Sequence, residues 1–138
     1  MEKKVILLGA LLLTAHGLAV INTWYWLYPS IDIPMHLLGG AFVATFFLWL
    51  TEKYPGQWQV SRNFFVRATI FLSFTALVGV LWEFSEFIYS FFASYRAWHI
   101  AGGDVTDTVT DLLNDLLGGL AVVVVDCLRY NKLNRSHE

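Results

Sequence analysis

The stretch Ile70-Phe-Leu-Ser-Phe-Thr-Ala-Leu-Val-Gly-Val-Leu-Trp-Glu83-Phe-Ser-Glu86 is apolar over most of a membrane's thickness, yet it ends in two carboxylates. It lies inside a longer apolar segment, residues 65–92, and a transmembrane helix needs only about 20 mainly apolar residues. A charged side chain at the bilayer centre costs ~2.5–3.5 kcal/mol even on a lenient scale. The segment therefore predicts a membrane helix whose acidic side chains need a specific partner.

Three further segments have the same apolar character, residues 5–28, 34–50 and 108–128. The chain has 138 residues, of which 57% are hydrophobic and 14% are charged, and its mean hydropathy is +0.54. This composition is typical of a membrane protein and not of a soluble domain, and the length suits one domain. We predict an all-α fold, a single bundle of four transmembrane helices over residues 1–138.

The basic residues predict the orientation. If both termini are cytoplasmic, every lysine and arginine except Arg96 lies on the cytoplasmic side, as the positive-inside rule requires. We therefore expect a multi-pass protein of the inner cell membrane, in contact with lipid, with Trp24, Tyr25, Trp26 and Tyr28 at the outer interface. A secretory signal peptide ending near Ala19 is an alternative. Nucleic-acid binding is not expected, because the basic residues are scattered over three cytoplasmic segments.

This orientation brings the intramembrane acidic residues to one depth. The second and fourth segments enter from the outside and the third leaves towards it, so these residues all fall in the outer half of the bilayer. Residues three or four positions apart share a helix face, and an acidic face avoids lipid. We expect the faces to converge inside the bundle at a site made of Asp32, His36, Glu83, Glu86, Asp107, Asp111 and Asp115.

A pocket of six carboxylates and one imidazole needs positive charge, and Arg96 is the only basic residue expected on that side. Carboxylate oxygens with an imidazole nitrogen suit divalent cations, and cores of helical bundles house such sites. We predict that all seven residues are metal ligands for Mn, Fe, Zn or Mg. A proton or cation pathway and purely structural hydrogen bonding remain alternatives.

Single members have simpler interpretations. Asp104 and Asp107 follow a glycine pair and suit helix N-caps, and Asp32, close before Pro34, is likewise a candidate cap. His16, near the middle of the first segment, is either hydrogen-bonded to a neighbouring helix or serves as a ligand or proton relay.

A short motif occurs twice: Asp32-x-x-x-His36-Leu-Leu-Gly-Gly40 and Asp111-x-x-x-Asp115-Leu-Leu-Gly-Gly119. It suggests two helical hairpins related by an axis along the membrane normal, with glycine pairs that permit close helix packing. Chance is the alternative in a leucine-rich chain.

The same motifs resemble those of small bacterial membrane proteins of the YjdF type and, more distantly, of VanZ-like proteins. The resemblance covers residues 30–120 and implies a polytopic membrane protein without implying a reaction. Ile33 stands where those families often have a basic residue. The matching residues are Asp32 and His36, Glu83 and Glu86, and Asp107, Thr108, Asp111 and Gly118.

Two functions are compatible with such a site. One is metal-dependent chemistry on a lipid or lipid-linked group, with Glu86 or Asp115 as the catalytic base and Arg96 and His99 at the head group. The other is a cation-binding or transport component; its path would form in a homo-oligomer, because Asp126 is alone in the inner half. A third interpretation is an accessory subunit without catalytic activity, whose fold a structural metal ion stabilises. A site opening sideways to lipid favours the first, and one opening to water favours the second.

Overall fold

The computed structural model describes residues 1–92 and 105–135, without the side chains of 89–92, 131 and 133–135. These ranges form helices α1 (Glu2–Ile21), α2 (Trp24–Leu27), α3 (Asp32–Lys53), α4 (Phe64–Phe92) and α5 (Val105–Arg135), with a 3-10 turn at Pro29–Ile31. In the described part, 4 helices are long and apolar enough to cross a membrane: Glu2–Ile21, Pro29–Lys53, Phe64–Ile88 and Val105–Tyr130. The prediction of an all-α, four-helix membrane bundle is confirmed, and the side on which the termini lie stays a prediction.

The first apolar segment, residues 5–28, does not form one continuous helix. α1 ends at Ile21, and Thr23 takes a left-handed backbone conformation with φ 56°, which a β-branched residue rarely adopts. This turn starts α2, in which Tyr25 is buried while Trp26 is exposed. The turn therefore brings one aromatic side chain of α2, that of Tyr25, into the bundle.

The start of α3 differs from a simple aspartate cap. The N-cap position is Ile31, which makes no side-chain cap hydrogen bond, and Asp32 is already helical. Pro34 is tolerated in this first turn because the backbone N–H groups there have no partner within the helix. Asp32 is thus not the cap, and its carboxylate faces His36 instead.

α3 and α5 form the most extensive helix pair of the described chain, and they run parallel. A Cβ added to Gly40 would overlap the carbonyl of Asp115, and one added to Gly118 would overlap the carbonyl of Leu37. The two backbones therefore meet through the glycines of the repeated motif, as the sequence suggests. α4 packs antiparallel against both helices, and α1 packs against α3.

The apolar core lies away from the acidic residues. Phe47 stacks on Phe74 with ring centroids 4.5 Å apart and meets Phe71 edge-on at 4.9 Å. Beyond this core, Arg67 of α4 forms a salt bridge of 2.7 Å with Asp126 of α5. We call this end of the bundle the basic end, and the opposite end, where α3 and α5 begin, the acidic end.

Candidate functional site

The candidate site forms at the acidic end from equivalent positions of the repeated motif. Asp32 and His36 lie one turn apart on α3, and Asp111 and Asp115 lie one turn apart on α5. All four side chains are buried, with Asp111 only 3% exposed. Because the helices are parallel and in register at their glycines, the two polar faces meet inside the bundle.

His36 is the centre of this arrangement. Its Nε2 lies 3.6 Å from Asp32 Oδ1 and 3.9 Å from Asp111 Oδ2, and its Nδ1 lies 3.5 Å from Asp115 Oδ1. The two Nε2 distances exceed those of ordinary hydrogen bonds. Nε2 and the two carboxylates therefore face one another across a gap.

α4 adds two carboxylates near the same imidazole, those of Glu83 and Glu86. One ligand atom each from His36, Glu83 and Glu86 lie within 4.8 Å of one another, and the same holds for Asp32, His36 and Asp111. Ligands around one ion are about 2.0–2.6 Å from it, so separations of this size fit a shared cation. His36 belongs to both ligand groups, which we call the α3/α5 group and the α4 group.

The two α4 carboxylates differ in their hydrogen bonds. Trp82 Nε1 donates a hydrogen bond of 2.9 Å to Glu86 Oε1. Glu83 Oε1 is buried and has no hydrogen-bond partner among the described residues. A buried oxygen of this kind is costly unless a donor or a cation reaches it.

Asp107 and Asp115 stand outside both ligand groups. Asp107 lies in the first turn of α5, close enough for its charge to interact with Asp32 and Asp111, and an acidic residue there also suits the helix dipole. Asp115 faces the second ring nitrogen of His36. Of the seven predicted ligands, the structure brings five into the two groups and leaves these two beside them.

A second layer of side chains covers the cluster from α1 and α2. The hydroxyl of Tyr25 and His16 Nδ1 are 2.7 Å apart, and the His16 ring meets the Trp82 ring edge-on at 5.1 Å. Burial, together with the charges of Asp32 and Glu86, raises the pKa of the Tyr25 hydroxyl, so this group stays protonated. The tautomer of His16 decides which of the two groups donates the hydrogen bond.

Tyr25 is a residue of the site that sequence reasoning misses. From the sequence it is one of several aromatic residues expected at the membrane interface, and nothing distinguishes it from Trp24 or Trp26. The left-handed turn at Thr23 decides which of them points inward. For His16, the structure favours the hydrogen-bonded interpretation.

The charges of the cluster are not balanced by arginine or lysine within the described residues. The salt bridges that arginine and lysine form there, Arg67 with Asp126 and Lys53 with Glu2, lie at the basic end. Arg96, His99 and Asp104, which the sequence associates with the acidic end, lie outside the described residues.

A cavity of about 220 Å³ adjoins the cluster. Asp32, His36, Glu86 and Asp115 line its polar end together with Tyr25, and its other walls come mainly from apolar residues of α1, α3 and α4. The cluster therefore opens into the apolar interior of the bundle.

The comparison with protein families gives one result. A family model described as "Predicted membrane protein (DUF2238)" matches residues 3–132. The chain belongs to this family. The match includes all four membrane helices and every residue of the cluster, in agreement with a multi-pass membrane protein. No curated protein and no solved structure matches the chain. The YjdF-type resemblance is compatible with this family, while the VanZ-like resemblance receives no support.

Proposed function

We propose that the protein binds a divalent metal ion within the outer half of the membrane. One observation carries the proposal: carboxylates from three helices, Asp32, Glu83 and Asp111 among them, converge on the buried imidazole of His36. Each buried, uncompensated charge costs several kcal/mol. A divalent cation supplies that compensation and also gives the unpartnered oxygen of Glu83 a partner.

The ligand set favours Mn, Fe or Zn, with Mg as a further candidate. Carboxylate oxygens suit hard cations, and the His36 nitrogen favours transition metals over calcium. Metal-bound histidines usually donate their other ring N–H to a carboxylate, which fixes the ring and raises its basicity. Asp115, which faces Nδ1, fits this supporting role, so that Nε2 is left for the ion.

The reaction class we propose is metal-dependent hydrolysis or transfer at a phosphate or ester group of a lipid or lipid-linked molecule. A bound divalent ion polarises such an oxygen and lowers the pKa of a bound water. Glu86, oriented by Trp82, is the candidate catalytic base, and Asp115 is the second candidate. The location of the site in a membrane bundle, with a cavity leading into the apolar interior, supports a lipid substrate.

A cation-binding or transport component is the second candidate function. The two ligand groups share His36, so an ion would have two neighbouring positions between which to move, as conduction requires. Against a path through one copy, Asp126 at the basic end is already paired with Arg67. This function would need a homo-oligomer.

Metal analysis of the purified full-length protein tests the proposal. We expect roughly one or two divalent ions per chain, as the two overlapping ligand groups allow, and we expect Glu83→Gln or Asp111→Asn to remove them. Glu52→Gln is the matched control, because Glu52 is an exposed carboxylate at the basic end. Wild-type protein with no more metal than the Asp111→Asn variant would overturn the proposal.

Chelation gives an independent measurement. A ligand that binds only the folded state at 100 times its Kd stabilises it by about 2.7 kcal/mol. We therefore expect a strong chelator to lower the thermal unfolding temperature of the wild type and to leave that of Glu83→Gln unchanged. Equal responses of the two proteins would contradict a structural or catalytic ion at this site.

A further inference from the structure

The cavity beside the cluster has a polar end and an apolar end. Three helices contribute lining residues from the polar end towards the apolar end. These residues lie between His16 and Gly9 on α1, between His36 and Val43 on α3, and between Trp82 and Thr75 on α4. Each stretch spans seven residues, which at 1.5 Å per residue is about 10 Å. The cavity is thus elongated along the helix axes and extends from the carboxylates into the apolar half of the bundle.

Small residues form part of the cavity wall: Gly9, Gly39 and Gly79, from α1, α3 and α4, line it. The volume of about 220 Å³ is sufficient for a stretch of hydrocarbon, because dry apolar cavities of about 150 Å³ accept a benzene molecule. Beyond the cluster, Thr75 is the polar residue of the lining, and its hydroxyl already donates to the Phe71 carbonyl at 3.0 Å. This half of the cavity therefore suits an apolar occupant better than water.

The cavity also reaches the surface that faces lipid. α1 packs mainly on α3, whereas α4 packs mainly on α5 and α3, so the cavity lies in the angle between α1 and α4. Leu13 of α1 and Trp82 of α4 both line it, and they are 68% and 37% exposed on the outside of the bundle. Both positions fall within membrane spans, so the opening between these helices faces the bilayer.

We propose that this cavity holds one hydrocarbon chain of a membrane lipid, which enters sideways between α1 and α4 and places its phosphate or ester head group beside Asp32, His36 and Glu86. Lipid surrounds the protein and can therefore reach the cavity. The apolar part of the cavity suits a hydrocarbon chain, and its polar end suits a lipid head group. This inference deepens the proposed function and rests on it in one respect, because the proposed metal ion is what the head group would contact. The substrate class it names is a chain-bearing lipid, bound one chain at a time.

The contact between His16 and Trp82 closes the opening near its polar end. Their rings meet at 5.1 Å, and Tyr25 holds His16 by a hydrogen bond. A chain entering below this pair would pass Leu13 and reach the cluster from the apolar side. The head group would then lie under Tyr25, enclosed from water.

Photolabelling by a lipid tests the inference. Full-length protein is placed in vesicles of phosphatidylethanolamine and phosphatidylglycerol that contain a phosphatidylethanolamine with a diazirine midway along one acyl chain. We expect labelled residues to include the inward-facing wall, Val43, Thr75 and Val78, besides the outer surface. Labelling confined to outward-facing residues such as Leu77 would overturn the inference.

Two pairs of variants give matched controls. Leu12→Trp fills the cavity from α1, and its control Leu11→Trp adds the same side chain on an exposed, lipid-facing position next to it. On α4, Val78→Phe fills the cavity and Leu77→Phe is the exposed control. We expect the filling variants to lower labelling of Val43 and Thr75 at least tenfold, and the controls to leave it unchanged. Equal labelling in filled and control variants would contradict the inference.

Metal analysis of the same samples separates this inference from the proposed function. Leu12→Trp is expected to keep its metal, because Leu12 lines the apolar part and lies outside both ligand groups. Wild type that binds metal without inward labelling defeats the chain inference alone. Inward labelling without metal defeats the proposed metal site and leaves the chain cavity standing.

Discussion

His36 shows how one residue serves several partners at once. Its two ring nitrogens face carboxylates on α3 and α5, and the α4 carboxylates of Glu83 and Glu86 lie near the same ring. Ile33, the position where the resemblance to YjdF-type proteins implies a basic residue, is 48% exposed. A basic side chain there would point away from the cluster, so its absence does not remove a charge partner of His36.

Gly40 gives a prediction about backbone contact. Gly40→Ala should destabilise the protein by about 1–3 kcal/mol, because overpacking has costs of this size and the added Cβ would overlap the Asp115 carbonyl. It should also lower metal content by moving Asp115 away from His36. Thermal unfolding and metal analysis measure both effects.

Gly17→Ala is the control for that variant. A Cβ at Gly17 has no neighbour within 4 Å, and alanine is the better helix former by up to ~1 kcal/mol. The control should therefore unfold at the same or a higher temperature than the wild type. If Gly40→Ala is as stable as Gly17→Ala, the close contact between α3 and α5 is wrong.

Among the helices, the repeated motif predicts the packing of α3 and α5 correctly, whereas the first apolar segment does not predict the break after α1. The motif on α3 and α5 predicts close packing through its glycines, and the structure has it. The apolar run to Tyr28 predicts one long first helix, and the structure ends α1 at Ile21. Hydropathy does not register the turn, because Asn22 and Thr23 are too few to interrupt an apolar average.

The salt bridge between α4 and α5 predicts a measurable coupling. Asp126→Asn should destabilise the protein by about 1–3 kcal/mol, because losing one member of a partly buried pair leaves a charge uncompensated. The Arg67 side chain is 14% exposed, and its Nε makes no hydrogen bond within the described residues. Glu2→Gln, in the more exposed pair with Lys53, should change stability by about 0.5 kcal/mol or less. Thermal unfolding of both variants measures the difference. Similar small effects of both variants would mean that the salt bridge between Arg67 and Asp126 contributes nothing to stability.

The bundle as a molecule is polar along its axis, with carboxylates at one end and arginines at the other. Both the proposed metal site and the lipid cavity depend on which end faces outward. The distribution of lysine and arginine predicts that the acidic end is outside.

Labelling of single cysteines tests the orientation. In a Cys127→Ser background, Ser30→Cys should react with a membrane-impermeant maleimide in intact cells, whereas Ser61→Cys should react only after permeabilisation. Both positions are exposed, at the acidic and basic ends respectively. The reverse pattern would place the site in the cytoplasmic half of the membrane and remove the outer leaflet as the source of its lipid.

Local sums of hydropathy and charge were enough to predict a membrane protein, four long helices, and acidic residues gathered at one end, because each of these properties is carried by every residue independently of its neighbours in space. The division of the acidic residues into ligand groups, with Asp115 behind His36 and Asp107 to one side, depended on the rotation of each helix about its axis. The burial of Tyr25 depended on a single left-handed residue, Thr23. The cavity depended on the angle between α1 and α4. Such rotations and angles arise from backbone contacts between distant segments, as at Gly40 and Gly118, and they have no counterpart in the pattern of one segment alone.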